Sequence, residues 1–279
     1  MAEFTASDGA RIAYRDTGRG TPIVLLPGLM AHGGFFAAQA PLARRFRLIA
    51  IDLRGHGDSR APLATLTVER IAMDVAELAA ALDLREAIGV GWSLGATVLW
   101  HVLASAAGDR FAGAVVVDMT ARVRNDDEWD LGLSSEACEA RSRAIRDDFE
   151  GFARNAGTAI FAQPVAGDQR VLAQWVADQF AANEAAAIGA VWASLVGQDV
   201  RALLERIRHP TLIVHGARNQ LYGADTADHL VAALSQARAI RFEGSGHAPH
   251  LEEPALFNRT IEEFAARLSR SRAALPEAS

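Results

Sequence analysis

The chain contains no lysine. All 28 of its basic side chains are arginine, which excludes a Schiff-base lysine, pyridoxal phosphate chemistry and the lysine of a phosphate-binding P-loop. Cysteine is nearly absent as well, Cys138 being the only one. Neither an internal disulfide framework nor a CxxC metal or redox pair is available. Long apolar runs are missing, with nothing near the ~18 residues of a membrane span. Glu3 and Asp8 interrupt the N-terminal stretch where a secretory signal needs continuous apolar sequence. Positive charge is not in excess: 28 basic against 34 acidic residues leave a net charge of −6. The basic field that non-specific nucleic-acid binding draws on is therefore lacking. These absences lead us to expect a cytoplasmic protein with no nucleic-acid and no membrane partner.

What is present suits a large core. Of 279 residues, 50% are apolar and 22% charged, an ordinary globular balance for one large or two modest domains. Short runs of branched side chains at 23–26, 48–51, 87–90 and 114–117 each precede a turn signal. That is the pattern of strands buried on both faces of a parallel sheet. Helical patterns near 34–45, 67–84 and 94–107 lie between them, the second carrying Val68, Ile71, Val75, Leu78 and Leu82 on one face. From about 120 to 208 strand signals vanish. A charged segment at 136–154, alanine-rich segments at 168–182 and 184–196 and an amphipathic one at 199–207 all read as helix. Alternation resumes with strands at 211–214 and 239–242 and helices over 224–235 and 254–270. The economical reading is an α/β core made of 1–119 and 209–279, interrupted by a helical insertion at 120–208. The closing residues RSRAALPEAS read as a loose tail.

Four segments carry possible chemistry. Gly91-Trp92-Ser93-Leu94-Gly95 follows the strand at 87–90 and opens the helix at 94–107. In that strand–turn–helix setting a G-x-S-x-G motif lifts the serine Oγ above the sheet edge, beside the Leu94 N–H. Leu26-Pro27-Gly28-Leu29 lies after the first apolar run, where a glycine turn can aim the Leu29 N–H at the space above Ser93. The pair Leu29 and Leu94 would then hold a developing oxyanion. Asp52-Leu-Arg-Gly-His56-Gly-Asp-Ser reads as a structural turn. Gly244-Ser-Gly-His247-Ala-Pro-His250 follows the last strand. Its flexible loop can bring a histidine to a nucleophile on a neighbouring strand end, and His247, nearer the strand, is preferred over His250. No third ligand at a recognisable spacing supports a metal pair, so neither a metal nor a cofactor is expected.

In this order, LPGL, DLRGHGDS, GWSLGA and GSGHAPHLEEP resemble the α/β-hydrolase fold. The resemblance implies a mostly parallel, doubly wound sheet with an all-helical cap inserted after the sixth strand. It also implies Ser93 as nucleophile, His247 as general base, and the Leu29 and Leu94 backbones as oxyanion hole. One position departs from the pattern. Members usually carry the acid in a segment like H-G-x-x-D, and here it reads His215-Gly-Ala-Arg-Asn219. Some members take the acid from the end of the strand after the nucleophile, which here is Asp118. We expect Asp118, ahead of Asp225 or Asn219 itself, with a carboxylate oxygen within about 3.2 Å of a His247 ring nitrogen.

A serine at the elbow argues against the haloalkane dehalogenases and epoxide hydrolases of this fold, which the resemblance associates with aspartate there. The expected activity is hydrolysis of a small, largely apolar carboxylic ester or lactone through an acyl-enzyme. Carbon–carbon bond hydrolysis with the same three residues, or a ligand-binding receptor on this fold, are the alternatives. Trp92, Trp129, Trp175, Trp192 and Tyr222 are the candidate pocket residues for such a small-molecule substrate. The sequence does not set the oligomeric state.

Overall fold

The computed structural model describes residues 1–273. The strands are β1 (Ala2–Thr5), β2 (Arg11–Gly18), β3 (Thr21–Leu26), β4 (Phe46–Ile51), β5 (Ala87–Trp92), β6 (Phe111–Val117), β7 (Thr211–Gly216) and β8 (Ala237–Phe242). Their helical partners begin with α1 (Val68–Ala81) and α2 (Leu94–Leu103). Between β6 and β7 come α3 (Ser135–Asp147), α4 (Phe149–Ala159), α5 (Gln169–Ala181), α6 (Ala185–Val196) and the short α7 (Arg201–Leu204). The chain closes with α8 (Ala224–Ala233), α9 (Pro249–Glu252) and α10 (Pro254–Ala273).

The branched runs form the parallel part of one eight-stranded sheet ordered β1-β2-β4-β3-β5-β6-β7-β8. Its central strands have no exposed face. β5 is buried at every position, and Val115, Val116 and Val117 of β6 are inaccessible to solvent. That two-sided burial is why these strands read as continuous apolar runs rather than alternating ones. β1 and β2 pair antiparallel at one edge and are not announced by any apolar run, because an exposed edge tolerates Arg11, Arg15 and Asp16.

Helix α1 starts at Thr67, whose side chain accepts a hydrogen bond from Arg70 N, and buries Val68, Ile71, Val75 and Leu78 against the sheet. The expected helix at 34–45 is instead a run of 3-10 turns, Gly33–Arg44, kinked at Phe36 and carrying Pro41. A proline there removes a backbone donor and prevents a regular helix. The charged segment at 136–154 is two helices, not one. Asp148 leaves helical geometry (φ −149, ψ 69) and its carboxylate caps α4 through Gly151 N at 3.1 Å. The 120–134 stretch holds isolated bridges, Arg124 to Leu133 and Asp126 to Trp129, rather than helix. Helix α10 runs on to Ala273, and the remaining tail residues lie outside the described residues. No helix among the described residues is long and apolar enough to cross a membrane.

The turn after β4 is fastened by charge. Arg54 has no exposed side-chain surface; it bonds Asp74 on α1 at 2.6 and 2.7 Å and Asp8 at 2.8 and 2.9 Å. Those bonds hold the Asp8 carboxyl down at about 2. A depressed carboxylate stabilises the fold above its ordinary value of 3.8, and that contribution disappears as pH falls through about 2. Removing one partner of a buried ion pair strands the other, so Arg54→Ala is expected to cost about 3–5 kcal/mol of stability in urea unfolding. A loss under about 1 kcal/mol would contradict this account.

Candidate active site

Four strand ends converge at the middle of the sheet. Leu26 of β3 pairs with Gly91 of β5, Trp92 with Val117 of β6, and Val117 with Val214 of β7. Ser93 and Asp118 therefore leave adjacent strands on the same edge.

Ser93 stands between β5 and α2 at φ 52, ψ −119, a left-handed conformation that costs a non-glycine residue about 1–3 kcal/mol. The surroundings enforce it. A Cβ on Gly91 would strike the Gly95 carbonyl oxygen, and one on Gly95 would strike the Leu26 carbonyl oxygen, so only glycines let strand and helix close around the serine. Ser93 N donates to Val117 O at 3.0 Å. Met30 (φ 66) and Asp118 (φ 51) are strained in the same sense. Three of the non-glycine residues at positive φ thus surround one point.

Leu94 N begins α2 and Leu29 N lies in the turn after β3. Neither donates to a protein acceptor among the described residues. Two N–H groups without a protein acceptor beside a serine are the kind of donors an oxyanion requires. The Leu29 turn is held from a distance: Asn183, between α5 and α6, donates from Nδ2 to Met30 O at 2.8 Å.

His247 is 4% exposed and its backbone is tied at both ends. Its N–H donates to Ile160 O at 2.7 Å, and its carbonyl accepts from Trp92 Nε1 at 2.8 Å. The preceding loop is fixed by Glu252, whose two oxygens accept from Gly246 N and Ala162 N, each at 2.7 Å. Burial raises the Glu252 carboxyl, and these backbone donors oppose that shift. His250 is fully buried between Trp92 and Phe36. Desolvation holds its ring near pKa 3, so at neutral pH it is an uncharged packing residue.

His247 Nδ1 and Asp118 Oδ2 face each other at 3.7 Å, both side chains buried and neither atom with another partner. The separation exceeds the 3.2 Å expected from sequence. At that distance the two buried groups face each other as an ion-pair contact and not as a formed hydrogen bond. Asn219 has no hydrogen bond to His247 among the described residues; its Nδ2 donates to Asp118 Oδ1 at 2.8 Å and its Oδ1 accepts from Leu221 N at 3.0 Å. Asp225 lies exposed in the first turn of α8.

Ser93 and His247 open into a cavity of about 70 Å³. Trp92, Trp192 and Tyr222 line it, and burial drives the Tyr222 hydroxyl pKa upward. Two expected pocket residues do not reach it. Trp129 donates to Arg122 O at 2.8 Å, with Arg201 over its ring at 5.6 Å. Trp175 is 37% exposed, because α5 buries Ala173, Val176 and Phe180 on a face it does not share, and it leans on Phe35. Arg141, Phe152, Phe180 and Leu195 also line the cavity. Arg141 is absent from the sequence-based candidates because nothing in its α-helical spacing distinguishes it from the other arginines of 120–208. Among the described residues no cluster of histidine, cysteine and carboxylate side chains could hold a metal.

Residues 23–260 match the model of the alpha/beta hydrolase family. The chain is 30% identical to a pimeloyl-[acyl-carrier protein] methyl ester esterase of Chromobacterium violaceum, covering 88% of this chain and 94% of that protein. It is 28% identical to a non-heme chloroperoxidase of Streptomyces lividans, covering 95% and 99% respectively. The solved esterase RhEst1 from Rhodococcus sp. ECU1013 superposes with a TM-score of 0.84 at 28% identity, covering 96% of this chain and 98% of that one. With the sheet order, the strained serine turn and a match over most of its length, the chain belongs to the alpha/beta hydrolase family.

Proposed function

We propose that the protein is a serine hydrolase that cleaves a small, largely apolar carboxylic ester or lactone through an acyl-enzyme. Ser93 Oγ attacks the carbonyl carbon while His247 accepts the serine proton. The oxyanion forms between the Leu29 and Leu94 N–H groups. As the tetrahedral intermediate collapses, His247 returns the proton to the leaving alcohol oxygen. Water then adds to the acyl-serine by the same route, releasing the acid and regenerating Ser93. Asp118 orients the ring and stabilises the imidazolium.

The observation that carries this reading is the buried facing of Asp118 and His247 beside a serine held at positive φ. Burying a carboxylate opposite an imidazole is costly, and a hydrolytic role accounts for that cost. The esterase among the relatives at 28% identity supports ester over carbon–carbon bond cleavage.

In this reading the helices between β6 and β7 form a cap that sizes the substrate. Trp192 spans α6 and α3, its Nε1 donating to Ser142 Oγ at 3.0 Å while its ring walls the cavity. Trp192→Ala is expected to move the best p-nitrophenyl ester to a longer acyl chain, whereas Trp129→Ala and Trp175→Ala leave the optimum in place. An unchanged optimum in Trp192→Ala would remove that wall from the specificity account.

The reading is tested by labelling with a fluorophosphonate. Mass spectrometry should find the adduct on Ser93 alone, and an adduct on another residue would overturn it.

A further inference from the structure

The cavity holding Ser93 and His247 shares a wall with an outer groove of about 370 Å³ between α3 and α4. Arg141, Phe152, Ala156, Ile160 and Leu221 belong to both. All but Arg141 are apolar. The arginine is half-buried, and among the described residues it has neither an ion pair nor a hydrogen bond. Among the described residues Arg143 is unpaired too, but it stands exposed to water, whereas Arg124, Arg146 and Arg154 are paired with Glu139, Asp147 and Asp178. Asp148 lies in the outer groove, but its carboxylate caps α4 and makes no ion pair with Arg141.

A guanidinium drawn partly out of water without an anion is an unfinished contact. Its planar fork matches a carboxylate bidentately. The walls between it and Ser93 are apolar and suit methylenes. Building on the ester-hydrolase reading, we propose that Arg141 receives a carboxylate at the far end of the acyl chain, so that the preferred substrates are half-esters of dicarboxylic acids. A neutral ester of equal length leaves the guanidinium unpaired, and a site built around a polar contact discriminates against ligands that lack it.

Matched pairs test this directly. The monomethyl esters of succinic, adipic and suberic acid are compared with methyl butanoate, hexanoate and octanoate, using wild type, Arg141→Gln and Arg141→Lys. At one chain length, wild type should favour the charged member by about 10- to 100-fold in kcat/KM. Arg141→Gln should bring that ratio toward one through the KM of the charged ester, and Arg141→Lys should keep part of it. Wild type without a charged preference at any length, or Arg141→Gln retaining the preference, overturns the proposal.

Calorimetric binding of monomethyl adipate to Ser93→Ala separates this from the hydrolytic reading. The half-ester should bind more tightly than methyl hexanoate, and adding Arg141→Gln should erase the difference. That result stands even if no ester is turned over, whereas equal binding of the two ligands refutes the role of Arg141 while leaving hydrolysis intact.

Discussion

Ser93→Ala should lower kcat on p-nitrophenyl acetate by about 10⁴- to 10⁶-fold, leaving only the slow contribution of binding and the oxyanion donors. The size of the effect follows from the loss of the covalent route itself. Among the described residues, no other hydroxyl lines the cavity near His247 except that of Tyr222, which burial keeps protonated and poorly nucleophilic. The variant should fold well. Alanine keeps the Cβ that serine already carries at this positive φ and removes only Oγ, and the glycine contacts that impose the turn remain. A near-normal melting temperature with lost turnover is the expected pair of results. Retained activity would mean that the reaction does not pass through this residue.

Asp118→Asn should cost about 10²- to 10⁴-fold in kcat/KM, and Asn219→Ala far less. An amide at 118 has nearly the carboxylate's shape but no charge, and it can present an N–H to His247 Nδ1, stabilising the wrong tautomer. The imidazolium that forms during attack would then be buried at 4% exposure without a counter-charge. Asn219 touches only the far oxygen of the carboxylate, at 2.8 Å, so its loss removes an orienting bond and no charge. The comparison is made on kcat/KM across pH with both variants checked for folding. The opposite ranking would place the acid elsewhere.

The parallel strands are legible in sequence because burial on both faces leaves unbroken apolar runs. β1 and β2 are not, since an edge strand exposed to water carries arginine and aspartate. The division at Asp148 is equally hidden, because a charged helix surface looks the same on both sides of a break made by one backbone rotation. In the site, the motif around Ser93 is visible because its glycines are demanded by backbone contact. The pocket is only partly visible. Trp192 and Trp129 are indistinguishable as letters; Trp192 reaches the cavity because of how α6 packs against α3, while Trp129 is held in the bridged 120–134 stretch by Arg122 and Arg201. Long-range supports such as Asn183 and Glu252 leave no local trace, because their partners, Met30 and Ala162, lie 153 and 90 residues away.

Those same supports bear on how such a protein can change. The segment between β6 and β7 supplies Asn183 to the turn that carries Leu29, and the Ile160 carbonyl and Ala162 N–H to the loop that carries His247. In the proposed mechanism it is thus a brace for the two backbone segments that the chemistry would depend on, as well as a wall. On that reading, exchanging it for the corresponding stretch of a relative would remove three hydrogen bonds from these two segments together with the proposed selectivity. Point substitutions on the inward faces of α3, α4 and α6 leave the brace standing, and they form the shorter path by which a new substrate could be acquired without losing rate.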